Sequence, residues 1–273
     1  MPIDDSYNKL LQLLKRLGPA AVAFSGGVDS TLLLRAALDA LGTNGVLAIT
    51  AASPFFPQWE QLDSQALARQ LGARQILVRC DLLTLPEVVR NDALRCYYCK
   101  KALFGMCIET ARQHGFTLML DGTNLDDGDD YRPGKQAALE LAVRSPLAEV
   151  GLTKDAVRTL SRQLDLPTWN RPAFACLASR VPYGTAIDIE QLGQIERCET
   201  VLRSLGFNGA RARHHGKTVR IEVAPELFPG MLTKTTRLAV VQGARAAGFT
   251  YVALDLEGYR TGSLNETLEQ PAP

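Results

Sequence analysis

Between residues 20 and 120 short apolar runs alternate with stretches of helical periodicity, and this alternation restricts the fold more than any other feature of the chain. Ala20 to Phe24, Val46 to Thr50, Gln75 to Val78 and Thr117 to Leu120 read as strands. Asp29 to Leu41 carries Leu32, Leu33, Ala36, Ala37 and Ala40 at helical spacing. Pro57 to Leu71 begins near a proline and stops at Gly72, and Lys100 to His114 reads as a further helix. Strands alternating with helices predict an α/β domain, a parallel sheet with helices on both faces and right-handed crossovers. Ligands of such sheets bind outside the carboxyl ends of the strands.

The pattern changes further along. Residues 122 to 182 are rich in Gly, Pro, Asp and Asn, with one helix, Thr153 to Leu164, capped by Thr153. A helix from Asp188 to Leu205 is stopped by Gly206. Two strand-like runs (Ala210 to His214, Thr218 to Val223), a helix (Leu232 to Ala247) and a strand (Tyr251 to Leu254) follow. That order predicts a smaller C-terminal α+β domain, so we divide the chain into residues 1–180 and 181–273. The polar tail after Tyr259 is expected to fray. A length of 273 residues suits two such domains, and 46% hydrophobic with 22% charged residues excludes disordered, collagenous and coiled-coil classes. A net charge of +1 leaves no global basic field for nucleic acid. No apolar stretch approaches the ~20 residues that span a bilayer. The opening MPIDDSYNKL lacks the layout of a signal peptide, so a cytoplasmic protein without membrane or nucleic-acid partners is expected.

The strongest chemical signal is Ser25-Gly26-Gly27-Val28-Asp29-Ser30-Thr31, between the first strand and the first helix. Its glycines permit a sharp turn close to a polyanion, and the helix start adds N–H groups and the positive dipole end. Ser25, Ser30 and Thr31 offer hydroxyls, and Asp29 can hold Mg²⁺ or cap the helix. The competing reading is a plain strand-to-helix turn. No Gly-Lys-Ser/Thr follows, so the turn is not a Walker A loop. Thr50-Ala51 ends the second strand, where backbone groups can read an adenine edge, and Gly122-Thr123-Asn124 follows the fourth; each can equally be a simple turn. Ser179-Arg180 sets a hydroxyl beside a guanidinium suited to phosphate.

Six cysteines (80, 96, 99, 107, 176, 198) in a chain too long to need a disulfide framework are expected as thiols. Cys80 and Cys107 most simply pack in the core, and Cys198 sits in a helix. Cys176 lies in a loop between Pro172 and Pro182 with Arg171 and Arg180 nearby in sequence, either an activated thiol or a buried one. Cys96-x-x-Cys99 can ligate metal or belong to a loop, with Tyr97 or Lys101 near a substrate. Arg211 and Arg213 alternate along a strand and share a face, suited to a phosphorylated or polycarboxylate substrate or else solvated. Adjacent His214 and His215 face opposite ways and are a poor metal pair.

The SGGVDS segment, at a strand-to-helix turn, resembles the signature of the PP-loop ATP pyrophosphatases, adenine nucleotide alpha hydrolase-type domains of Rossmann-like fold that cleave ATP between the α and β phosphates. Further segments resemble one branch, the LarE family of ATP-dependent sacrificial sulfur transferases of nickel-pincer nucleotide synthesis. These are Thr50 to Phe55, Arg95 to Lys100, Asp121 to Asn124 with Asp126-Asp127, Asp130 to Gly134, Arg144 to Leu147, Arg171 to Ala173, Cys176 to Gly184 and Arg211 to His215. The matches run in order over roughly residues 20 to 225.

The resemblance implies that ATP and Mg²⁺ bind over Ser25, Gly26, Gly27, Asp29 and Ser30. Thr50, Ala51, Gly122, Thr123, Asn124, Ser179 and Arg180 complete the nucleotide site. It implies Cys176 as the sulfur donor that ends as dehydroalanine, Arg211 and Arg213 as substrate-phosphate and sulfur-transfer residues, and Glu199 as acid/base, with Glu196 a competitor on the same helix. Tyr97 and Lys101 fall to the substrate, a small nucleotide, and relatives imply a homo-oligomer. Rival expectations are a tRNA-thiolating or amide-forming PP-loop ligase, or a regulatory module that binds ATP or AMP without chemistry.

Overall fold

The computed structural model describes residues 5–128, 133–172 and 175–260. Sequence readings on residues 129–132, on Ala173 and on the tail beyond 260 lie outside them. The chain gathers into two compact units, Met1–Asp81 with Cys96–Arg171, and Leu82–Arg95 with Pro172–Pro273.

The first unit is built on a parallel sheet of β1 (Ala20–Ala23), β2 (Val46–Ala52), β3 (Gln75–Arg79) and β4 (Met119–Leu120), in the order β3-β2-β1-β4. Alternate residues feed opposite faces. Ala20, Val22, Val46 and Ala48 join a core with Leu32, Leu33 and Leu160, while Ala21, Leu47 and Ile49 join another with Phe104, Cys107 and Ala111. Two buried faces explain why β1 and β2 read as continuous apolar runs rather than alternating ones. β4 is shorter than its apolar run because it is an edge strand; Arg144 covers its open side, donating to Met119 O (3.0 Å) and accepting from the Asp121 amide (2.9 Å).

Two helices depart from the sequence reading. Asp5–Leu17 is an amphipathic helix that buries Tyr7, Leu10 and Leu14 against Val28–Leu41, and the Tyr7 hydroxyl donates to Asp39 (2.8 Å). Arg95–Gln113 starts five residues earlier than expected, its entry shaped by an Asp92 turn in which Oδ1 accepts the Leu94 amide (2.9 Å), so Cys96 and Cys99 lie in its first turns rather than in a loop. Among the described residues no helix is long and apolar enough to cross a membrane.

The second unit carries the sheet β5 (Arg211–His215), β6 (Thr218–Glu222) and β7 (Tyr251–Leu254), antiparallel between β5 and β6 and parallel between β6 and β7. Its helices Ile189–Ser204 and Lys234–Ala246 are capped by Asp188, in a capping box with Gln191, and by Thr233. Leu82–Arg95 belongs to this unit although it interrupts the first in sequence. Asn91, fully buried at φ 57°, donates through Nδ2 to Pro182 O (2.8 Å) and Thr185 O (2.9 Å). It accepts from Arg95 Nη1 (2.5 Å), which also donates to Ala178 O (3.0 Å). One short segment therefore braces the loop after Cys176.

Removing that brace takes one hydrogen bond each from the Pro182 and Thr185 carbonyls and from the buried Arg95 guanidinium. Asn91→Ala is expected to lower unfolding stability by about 3 kcal/mol, in denaturant titrations, because an L residue without a polar side chain also resists the left-handed backbone. Asn91→Gly relieves only the backbone part and should recover well under half of the loss.

Candidate active site

The sheet order places a topological switch between β1 and β4, since the chain runs outward from β1 to β3 and returns to the other side for β4. Ser25 to Thr31 leaves β1 at this point, and Asp121 to Asn124 leaves β4 beside it. The two turns touch: a Cβ on Gly122 would stand 2.8 Å from the Ser30 nitrogen and 3.1 Å from the Asp29 carbonyl carbon, so only glycine fits. Gly26 adopts φ 75°, the left-handed conformation that turns the chain into the helix Val28–Leu41. The Gly27 amide donates to Ser25 Oγ (3.3 Å), the Ser25 and Ser30 hydroxyls lie 3.1 Å apart, and Ser30 Oγ donates to Gly27 O (3.2 Å). Arg171 Nη1 caps Gly26 O (3.2 Å), and its guanidinium pairs with Asp63 (3.2 Å). Thr31 Oγ1 is buried without a hydrogen-bond partner.

The β4 turn is held from beneath by Asp121, which is buried and accepts from Ser145 Oγ (2.7 Å) and from the Thr123 hydroxyl (2.8 Å) and amide (3.2 Å). Asn124 reaches across to Asp29 Oδ1 (3.0 Å), and Lys154 Nζ reaches Asp29 Oδ2 (2.5 Å). Lys154 escaped the sequence reading; its signal was the Thr153 cap, whose hydroxyl accepts from Ala156 (3.2 Å) and fixes the first turn of the helix Lys154–Gln163. With an ammonium against one oxygen and an amide against the other, Asp29 does not fit as a protein ligand for magnesium. Among the described residues no three His, Cys, Asp or Glu gather to hold a metal ion, at Cys96 and Cys99 or elsewhere. Lys154 supplies the positive charge here.

Beside the turn opens a cleft of about 170 Å³, walled by Phe24, Ile49, Ala51, Phe104 and Cys107 and edged by Ser25 and Thr50. An apolar slot at the strand ends with backbone polar groups at its rim suits a planar heterocycle. The Thr50 hydroxyl is already engaged, donating to Phe24 O (2.5 Å) and accepting from Gln75 Nε2 (2.8 Å). Tyr97 and Lys101 form a separate surface group. The Tyr97 hydroxyl donates to Glu140 Oε2 (2.7 Å), and Lys101 Nζ donates to both (2.8 and 3.0 Å). Those two hydrogen bonds raise the Lys101 ammonium above its usual range, while the bond from the Tyr97 hydroxyl, and then that from Lys101, lowers the Glu140 carboxyl.

In the second unit the chain places Cys176, half-exposed, at the head of a short 3-10 turn, Leu177–Arg180. Arg180 is buried in a bidentate pair with Glu199 (Nε–Oε1 2.7 Å, Nη2–Oε2 3.0 Å), and its Nη1 donates to Ala175 O (2.7 Å), Cys176 O (3.1 Å) and Ser179 Oγ (2.8 Å). Glu199 also accepts the Ala212 amide (3.0 Å), tying the turn to β5. Arg211 and Arg213 do share a face, but they are buried rather than solvated. Arg213 pairs with buried Glu222 (2.9 and 2.7 Å) and donates to Ser179 O (2.8 Å). Arg211 caps Gly209 O (2.9 Å) and stacks 5.0 Å over Tyr259; burial, and then the charge of Arg180, lowers its guanidinium. His214 is buried on Gln194 (3.0 Å) and His215 is exposed, as their alternation requires. Burial pushes the thiols of Cys107 and Cys198 up to about 12, and that of Cys80 upward.

Sheet order, turn and switch-point contacts define the first unit as a Rossmann-like domain of the PP-loop type, joined in one chain to a smaller α+β unit. No protein-family model matches the chain. An uncharacterized protein of Synechocystis sp. is 42% identical over 266 residues, covering 97% of this chain and 99% of its own. The pyridinium-3,5-bisthiocarboxylic acid mononucleotide synthase of Lactiplantibacillus plantarum is 39% identical over 259 residues, 95% of this chain and 93% of that enzyme. An uncharacterized protein of Methanocaldococcus jannaschii is 27% identical over 240 residues, 88% and 90% of the two chains. The chain belongs to the LarE family of sulfur transferases.

Two outcomes follow from the geometry. Gly122→Ala overpacks the switch point, and denaturant titration should show unfolding stability falling by about 1–3 kcal/mol while the far-ultraviolet spectrum of the folded protein stays unchanged. Iodoacetamide at pH 8 should alkylate Cys176, and should spare Cys107 and Cys198 until the protein unfolds, since thiols raised to about 12 carry almost no thiolate there; peptide mass mapping checks this.

Proposed function

We propose that the chain is an ATP-dependent sulfur transferase of nickel-pincer nucleotide synthesis, acting in the cytoplasm on pyridinium biscarboxylic acid mononucleotide as a homo-oligomer without nucleic-acid partners. The observation that carries this reading is 39% identity, along 95% of the chain, to an enzyme named for making a bisthiocarboxylic acid mononucleotide. The switch-point turn and the half-exposed Cys176 supply the chemistry such a product requires.

A carboxylate is a poor electrophile, so one oxygen must first become a leaving group. ATP would lie over the N–H groups of Gly26 and Gly27 and the hydroxyls of Ser25 and Ser30, and magnesium bound with it would offset the charge of its phosphates. Lys154 adds a cation beside Asp29. The adenine enters the apolar cleft and meets the backbone of Thr50 and Ala51. The substrate carboxylate attacks the α-phosphorus and pyrophosphate leaves. The Cys176 thiolate then attacks the acyl carbon and AMP leaves, giving a thioester. Loss of the Cys176 Cα proton with cleavage of Cβ–S releases a thiocarboxylate and leaves dehydroalanine, so each chain acts once. Tyr97 and Lys101 meet the substrate's acidic groups in this reading, and Arg211 lies near Arg180 in the unit that carries the thiol.

Intact mass after reaction with ATP and the biscarboxylate should show loss of the elements of H₂S at Cys176. Cys176→Ser should release pyrophosphate but hold the acyl-adenylate, giving no thioester and no thiocarboxylate. A protein that keeps its mass through several turnovers would sink the sacrificial route.

A further inference from the structure

The Cys176 carbonyl oxygen accepts three hydrogen bonds: from the Ser179 amide (3.0 Å), the Ser179 hydroxyl (2.8 Å) and Arg180 Nη1 (3.1 Å). The amide bond is what a 3-10 turn provides by itself. The other two are additions, and each is aimed. Arg180 Nη1 divides its two hydrogens among Ala175 O (2.7 Å), Ser179 Oγ (2.8 Å) and Cys176 O (3.1 Å), so the Cys176 oxygen takes the longest branch of a shared donor, and the Ser179 hydroxyl proton is left directed at that oxygen. The guanidinium, 2% exposed, is clamped by both oxygens of Glu199, itself anchored by the Ala212 amide. Arg95 and Arg213 hold the neighbouring carbonyls of Ala178 and Ser179 (3.0 and 2.8 Å), so the turn cannot drift off this donor set.

Three donors including a buried cation, converging on one carbonyl oxygen, form a site that stabilises negative charge there. The atom bonded to that carbonyl is the Cα of the residue whose sulfur leaves. When the Cα–H bond breaks, its electron pair moves onto the Cys176 carbonyl as an enolate, and the proton passes to water, which reaches the half-exposed residue. The pair then returns to form Cα=Cβ, the Cβ–S bond breaks, and its electrons leave on the thiocarboxylate sulfur. No oxidant or reductant enters.

We infer that Ser179 and Arg180 form an oxyanion hole on the Cys176 carbonyl that stabilises the enolate and thereby speeds C–S cleavage, with Glu199 as the positioning residue of the guanidinium. The inference rests on the sacrificial transfer proposed above. It gives Ser179 and Arg180 a role in the last step, where family resemblance would place them on the nucleotide phosphates.

The test is a single-turnover reaction with ATP and the biscarboxylate, quenched and followed by intact mass, with pyrophosphate measured in parallel. Ser179→Ala should slow dehydroalanine formation more than pyrophosphate release, and so accumulate the thioester, protein plus acyl group. Its dehydroalanine should form about tenfold to hundredfold more slowly, the order expected when one oxyanion donor is removed. Labelling with Cα-deuterated cysteine should give a larger primary isotope effect on that step in Ser179→Ala than in the wild-type protein, because losing the donor makes Cα–H cleavage more fully rate-limiting; a purely structural role would leave the isotope effect unchanged. Ser179→Thr keeps the hydroxyl and should restore the rate. The hole is overturned if Ser179→Ala lowers pyrophosphate release and dehydroalanine formation in the same proportion with no thioester accumulating. A wild-type protein that turns over without losing sulfur overturns the sacrificial route, and the hole with it.

Discussion

The pairing of Arg180 with Glu199 organises the unit that carries the sulfur. A guanidinium taken out of water is costly unless its donors are met, and here a carboxylate meets two of its nitrogens while the third spans the carbonyls of Ala175 and Cys176. Through the same contact the helix Ile189–Ser204, the strand β5 and the cysteine turn are held in one arrangement. Breaking either partner would leave an uncompensated buried charge, so the arrangement tolerates little drift. The pair therefore serves orientation more than net stability, which a well-packed apolar replacement could supply equally well.

In the first unit a different constraint governs. The turns after β1 and β4 approach so closely that Gly122 has no room for a side chain, and Asp29 is shared by Asn124 and Lys154. Charge and close packing together present the amides of the β1 turn toward the carboxyl end of the sheet. The cleft beside it is apolar because its walls, Ile49, Phe104 and Cys107, also belong to the core on that face of the sheet. A base-sized slot and a phosphate-sized turn arise from one piece of packing.

The alternation of apolar runs and helical periods between residues 20 and 120 made the parallel sheet legible, because burial on both faces imposes continuous apolar strands. The glycines and hydroxyls after β1 were legible for the same local reason: a turn against a polyanion needs small residues and donors in consecutive positions. Less could be read where the partner was distant. The N-terminal helix hides in a polar stretch because only Tyr7, Leu10 and Leu14 are buried. Leu82–Arg95 carries no mark of the unit it joins, since Asn91 acts through carbonyls some ninety residues away. Ser179 and Arg180 looked like phosphate ligands by residue type; their contacts are with the backbone of Cys176 and with Glu199.

By itself, then, the amino-acid order determined the class of fold, the glycine-rich turn after β1 and the cysteine that stands apart from the core, because each is encoded within a few neighbouring residues. Tertiary structure decided which buried arginine meets which carboxylate, that Asn124 and Lys154 share Asp29, and that donors from Ser179 and Arg180 converge on the Cys176 carbonyl. Those outcomes depend on groups brought together from separate elements, and a guanidinium written in a sequence carries no record of where its five N–H bonds will point.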